Sequence, residues 1–273
     1  PGQNYLSRYW DSLNSPRPES YKYDVELNKI AKGRTPIYKE IRSAVESGWD
    51  FSTRWFGEEH AMDKLHTIHI LPVDLNCLLY HMETTLGEIF ELDHKKQKAD
   101  HYKSLADTRK NLIIQYFWDE NLGYFFDFFL KNEQQTNRYT LAGRFPRYFN
   151  IVDSLQATRV AETLEDKFLK KGGLVTTLAE NSSQQWDYPN GWAPLQWIGY
   201  MACKNYGFDQ LAKEIASRWI ELNNNVFFAT GKMMEKYDVI NPNRYAGGGE
   251  YEIQDGFGWT NGVYLKLWSL LHG

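Results

Sequence analysis

Apolar residues recur at three- and four-residue spacing along most of the chain, a pattern that predicts helices rather than strands. Residues 36–46 begin with a proline and carry Ile37, Ile41, Ala44 and Val45 on one face. Residues 72–92 follow Pro72 with a stripe of Val73, Leu75, Leu78, Leu79, Met82, Leu86, Ile89 and Phe90. Residues 96–117 continue the period with Leu105, Ala106, Leu112, Ile113 and Tyr116. Segments 153–170 and 207–224 read as further amphipathic helices. Segments 192–206 and 255–272 are apolar around much of their circumference, which predicts inner, buried helices. Between them, Asp119-Glu120-Asn121-Leu122-Gly123 marks a turn into an aromatic run at 124–130, where a short hairpin or irregular loop is expected. Strand signals are too sparse for a parallel sheet. The recurring unit is a helix, a loop rich in Gly, Trp and Asp, and another helix, which fits an α-hairpin toroid or bundle.

Composition narrows the function classes. Lys plus Arg is 31 and Asp plus Glu is 35 in 273 residues, a net charge of −4. That balance argues against nucleic acid as a partner, which needs a clustered positive field. No apolar run approaches the ~20 residues that span a bilayer, so no membrane partner is expected. Cys77 and Cys203 lie in unrelated segments outside any CxxC pair, which excludes a disulfide scaffold and the usual zinc site and suits a reducing cytoplasm. Trp, Tyr and Phe make up 16% of the chain. Flat apolar faces with polar tips suit sugar rings, although a large helical core also absorbs them.

Four loop segments carry candidate chemistry. In Pro16-Arg17-Pro18-Glu19-Ser20-Tyr21 a rigid backbone holds an Arg fork and a carboxylate, which together match a polyol. Taken alone, that segment is better explained by a plain Arg–Glu surface pair at a rigid turn. In Ser47-Gly48-Trp49-Asp50-Phe51-Ser52-Thr53-Arg54-Trp55 a carboxylate lies between aromatic walls, which desolvate it, while Arg54 opposes that effect. The competing role for Asp50 is the N-cap of a helix at 51–56. In Gln185-Trp186-Asp187-Tyr188-Pro189-Asn190-Gly191-Trp192-Ala193-Pro194, stacking faces stand beside amide and carboxylate partners, as in a sugar-binding loop; the competing reading is a Pro-Asn-Gly turn with both Trp in the core, and the density of polar partners favours the first. In residues 247–262 three glycines precede Glu250, and a Phe257–Trp259 block follows. Such glycines permit close approach of a ligand. His60, His66 and His69 lie near one another without HExxH spacing, and structural histidines are the expected reading.

These four segments, in this order, resemble those of trehalases, glycoside hydrolase family 37. QWDYPNGWAP, from Gln185 to Pro194, fits a family signature at every position. The resemblance implies an all-α (α/α)6 toroid of the six-hairpin type and hydrolysis of α,α-trehalose to two glucose molecules with inversion, without metal or other cofactor. It implies Asp50 as general acid and Glu250 as general base, with Arg17, Pro18, Glu19 and Gly48 on the substrate. The residues themselves leave open which carboxyl is the acid. Arg54, Trp186, Asp187, Trp192 and Trp259 complete the expected substrate-binding set, with Tyr188 as a further ring wall. One block departs: the family's earlier signature, PGGRFxExYxWD, has no counterpart here. The expectation is therefore a single catalytic domain over 1–273 that corresponds to the C-terminal part of the toroid, with an N-terminal half as partner. The alternative is a non-catalytic sugar-binding or interaction fragment, and an outsider is a toroid acting on another α-glucoside.

Overall fold

Two ten-residue helices, α1 (Tyr21–Ile30) and α2 (Ile37–Glu46), come first in the computed structural model, which describes residues 6–32, 37–57, 61–243 and 252–273. In α2, Ile37, Ile41 and Ala44 fall on one buried face, as their spacing predicts. After the short strand β1 (Ile70–Leu71) come α3 (Val73–Leu92) and α4 (Lys96–Phe117), which pack together as a hairpin. A row of two-residue strands follows: β2 (Trp118–Asp119), β3 (Tyr124–Phe125), β4 (Phe128–Phe129) and β5 (Gln134–Gln135). β2 pairs with β3 across the predicted turn, and β1, β4 and β5 form a small antiparallel sheet. The aromatic run is thus a hairpin arm with Tyr124, Phe125 and Phe126 in the core.

The second part of the chain repeats the scheme. A short helix α5 (Phe145–Tyr148) leads to α6 (Ser154–Thr163), started by a capping box in which Asp153 and Gln156 satisfy each other's backbone N–H groups. The strands β6 (Leu169–Lys170) and β7 (Gly173–Leu174) pair, and β8 (Asn190–Gly191) precedes α7 (Ala193–Lys204). α7 packs against α8 (Asp209–Thr230), which runs past the expected end at 224 to Gly231, whose φ of 70° supplies the left-handed cap. β9 (Tyr237–Asp238) returns to pair with β8, and α9 (Gly258–His272) lies on α7 and α8. Trp55, Trp192 and Trp219 are the largest fully buried side chains.

Two expectations about helix faces are corrected. In α3 the apolar stripe is only partly the inward face: Val73 is buried, but Leu78, Met82 and Ile89 are about half exposed, while Cys77, Glu83 and Gly87, outside the stripe, are buried. The α3–α4 seam is closed instead by Glu83, which accepts from Arg109 Nε at 2.9 Å and Nη2 at 2.8 Å, and by Gly87, whose missing side chain leaves room for Lys103. A buried bidentate ion pair holds two helices as specifically as an apolar seam. The segment expected as a second inner helix, α9, buries only Thr260 and Leu267 among the described residues, and Leu265 is 63% exposed. Only its face toward α7 and α8 finds apolar partners. α7, by contrast, is buried as predicted, with Ala193, Leu195, Tyr200, Ala202 and Cys203 inside.

Candidate active site

The loop that carries Asp50 is held from below. Gly48 takes a φ of 73°, a left-handed conformation that suits glycine, and it turns the chain out of α2. Ser52, not Asp50, caps the short turn at Thr53–Trp55 by accepting from the Arg54 backbone N–H at 3.1 Å. The competing capping role therefore belongs to another residue, and Asp50 sits half-buried between Trp49 and Phe51, whose rings are buried.

Arg54 is buried in the core. Its side chain is fully enclosed, and its guanidinium donates to Asp74 at 2.6 and 2.8 Å and to Asp127 at 2.7 and 2.9 Å. Burial works against its charge, but the two carboxylates outweigh burial and hold Arg54 protonated. Its cation also lies 4.7 Å from the Trp49 ring and 4.5 Å from the Trp55 ring. The expectation that Arg54 binds substrate hydroxyls gives way to a structural role, because its donors are spent on buried carboxylates.

Asp187 is corrected in the same way. It has no solvent exposure, and it accepts from Ser52 Oγ (2.7 Å), the Thr53 backbone N–H (2.8 Å), Thr177 Oγ1 (2.9 Å) and Ser182 Oγ (2.6 Å). Four donors satisfy a buried carboxylate, so Asp187 bolts the Asp50 loop to the 185–192 loop rather than meeting a ligand. Trp192 is likewise core, 1% exposed, with its Nε1–H on the Gln185 carbonyl at 3.0 Å. Its ring lies parallel to Trp186, centroids 3.9 Å apart, and Trp186 stacks in turn on Trp49 at 5.5 Å.

The four sequence segments converge through these contacts. Arg17 is buried against Asp24, to which its Nη2 donates at 2.7 Å, and its cation lies 5.3 Å from the Phe51 ring. Gln185 Nε2 donates to the Asp50 carbonyl. Trp259 presents its edge to Trp192 at 5.7 Å and remains 38% exposed, the most open of the aromatic candidates from the 185–192 and 252–261 segments. Pro18, Glu19 and Gly48 are exposed, and Tyr188 is half-buried. Glu250 lies outside the described residues, although residues 252–259, just after it, are tied to the site through Glu235 and Trp259.

Several partners had no sequence signal of their own. Asp24, Asp74, Thr177 and Ser182 matter because the fold places them under the loops. Asp127 had one: a lone carboxylate inside an aromatic run needs a buried cation. Lys236 is fully buried, and its Nζ donates to Gln185 Oε1 at 2.7 Å and to Glu235 Oε2 at 3.3 Å. Burial pushes the Lys236 ammonium down from its usual range, while Glu235 and Asp50 pull it back up. Among the described residues no cluster of His, Cys, Asp and Glu is arranged to hold a metal ion, and no helix is long and apolar enough to cross a membrane.

Helical hairpins joined by loops with stacked indoles and a carboxylate place the protein among the (α/α) toroids. Within that class the chain belongs to the trehalase family, whose model, Trehalase, matches residues 2–272. It is 42% identical over 268 residues to the periplasmic trehalase of Salmonella paratyphi B, an alignment that covers 97% of this chain and 47% of that protein. The periplasmic trehalase of Salmonella enteritidis matches to the same extent. The solved structure of neutral trehalase Nth1 from Saccharomyces cerevisiae aligns with a TM-score of 0.81 at 25% identity, over 98% of this chain and 52% of that one. A GH63 mannosylglycerate hydrolase from Thermus thermophilus shares the fold at a TM-score of 0.59 and 17% identity, over 98% of this chain and 58% of that one. The chain spans about half the length of the curated relatives it matches.

Proposed function

We propose that this chain carries the catalytic carboxylates of a trehalose hydrolase that inverts configuration. Asp50 serves as general acid and Glu250 as general base. Asp50 delivers its proton to the oxygen bridging the two glucose units as that bond breaks. Glu250 takes a proton from a water that attacks the anomeric carbon from the opposite face. One glucose leaves with its configuration retained and the other is released inverted. Such chemistry needs the carboxyls ~6.5–9.5 Å apart so that a water fits between base and sugar. Arg17, Glu19 and the Gly48 backbone are assigned to sugar hydroxyls and Trp259 to a ring face, whereas Trp186, expected as a ring wall, is buried in the stack between Trp49 and Trp192.

The observation that carries this reading is the meeting of the Asp50 loop with the QWDYPNGW loop, through Gln185, Asp187 and the Trp49–Trp186 stack, in a chain of the trehalase family. The test is glucose release from trehalose by the intact protein. Asp50→Asn and Glu250→Gln are each expected to slow it by on the order of 10³-fold or more. Near-normal turnover in either variant removes that residue from its role.

A further inference from the structure

Residues 234–237 lie between Gln185, which bonds to the Asp50 backbone, and residues 254–260. On one side the Glu235 backbone N–H donates to the Gln254 carbonyl at 2.9 Å, Trp259 Nε1 donates to the Glu235 carbonyl at 3.2 Å, and Thr260 Oγ1 donates to the Met234 carbonyl at 2.7 Å. These bonds fasten the strip to the segment that follows Glu250 in the chain. On the other side Lys236 Nζ donates to Gln185 Oε1, and Gln185 Nε2 donates to the Asp50 carbonyl. The paired strands β8 and β9, in register Asn190↔Asp238 and Gly191↔Tyr237, hold the two halves of this bridge together.

A fully buried ammonium is a costly way to fill space, because desolvation opposes its charge. An aliphatic side chain of similar length would pack beside the Trp192 ring without that penalty, where Lys236 now sits 5.3 Å from the centroid. What the ammonium adds is direction: it fixes which way the Gln185 amide faces, and so keeps the amide N–H on the Asp50 backbone. The neighbouring Glu235 carboxylate offsets part of its charge.

We propose that Lys236 is a positioning residue for the general acid: acting through Gln185 it fixes the backbone of Asp50 relative to the strip that holds the segment after Glu250. The proposal rests on the reading of Asp50 as the acid.

The experiment compares two substrates in the intact protein. Trehalose needs a proton on its leaving glucose, whereas α-glucosyl fluoride releases fluoride without one. Lys236→Met is expected to lower kcat on trehalose by on the order of 10²-fold, the cost of a misplaced catalytic group, with KM and turnover of the fluoride little changed. Lys236→Arg, which keeps a buried cation, is expected to restore part of the loss. Gln185→Glu covers the case in which Lys236→Met folds poorly. It retains an acceptor for Lys236 and removes the donor to Asp50, and the same substrate-selective loss is expected. Equal losses on both substrates, or normal trehalose turnover in Gln185→Glu, overturn the positioning role. Asp50→Asn run alongside separates the two claims: selective loss on trehalose marks Asp50 as the acid, and equal loss on both substrates overturns that assignment and the role of Lys236 with it.

Discussion

Asp187 accepts the backbone N–H of Thr53 at 2.8 Å, across 134 positions of sequence, with both residues buried. This bond and its three companions make one rigid platform of two loops that sequence alone presents as separate sugar-binding elements. Asp187→Ala removes the acceptor of the buried donors of Ser52, Thr53 and Thr177 and of the half-buried Ser182. It is expected to destabilise the protein by about 3–5 kcal/mol in urea unfolding, by the cost of orphaned buried polar groups. A loss below 1 kcal/mol would mean that the platform relaxes and that Asp187 is free for another task.

Arg54 poses the same question with opposite charge. Arg54→Met strands Asp74 and Asp127 as buried carboxylates, and a loss of about 3–5 kcal/mol is expected. Replacing both carboxylates by Asn in that background removes the stranded charges and is expected to recover much of it. Failure of this rescue would show that the fork geometry, rather than charge balance, dominates at this site.

Alkaline pH probes the core beside the site. Burial pushes the Tyr237 hydroxyl up to about 12, and burial does the same for Tyr124, where Arg144 partly opposes it. A phenol whose folded pKa is raised stays neutral in the fold but ionises in the unfolded chain above its ordinary value near 10. Its contribution is fully present below pH ~10 and lost as pH rises toward 12, on the order of 2–3 kcal/mol for each group. Stability measured against urea is expected to fall through this window, with a shallower fall in Tyr237→Phe. A flat profile between pH 10 and 12 would contradict the burial of these hydroxyls.

Much of the helical framework was legible because its helices bury one face at the helical period. α2, α4 and α7 begin and end within a residue or two of the pattern, and Pro72 and Pro194 mark helix starts where backbone N–H groups are unpaired anyway. α1 was not legible, since Tyr21–Ile30 spreads charge around its circumference and buries only Asp24 and Leu27. The inward face of α3 was misread because a Glu83–Arg109 pair, distant in sequence, does the work expected of leucines. The site repeats that lesson. Dense aromatic and polar loops announced where chemistry gathers, but not which polar groups face the ligand. Asp187, Arg54 and Trp192 were expected on substrate and instead hold the platform; Arg54 meets carboxylates 20 and 73 positions away, and Asp187 meets Ser52 135 positions away. The link from Lys236 to Gln185 gave no local sign, since Gln185 lies 51 positions upstream.

The most direct test of the account is the anomeric form of fresh product, followed by proton NMR while the intact protein hydrolyses trehalose and before the sugars mutarotate. Attack by water across the ring from Asp50 predicts one α-glucose and one β-glucose per bond cleaved. Two α-glucoses in the first spectra would contradict it.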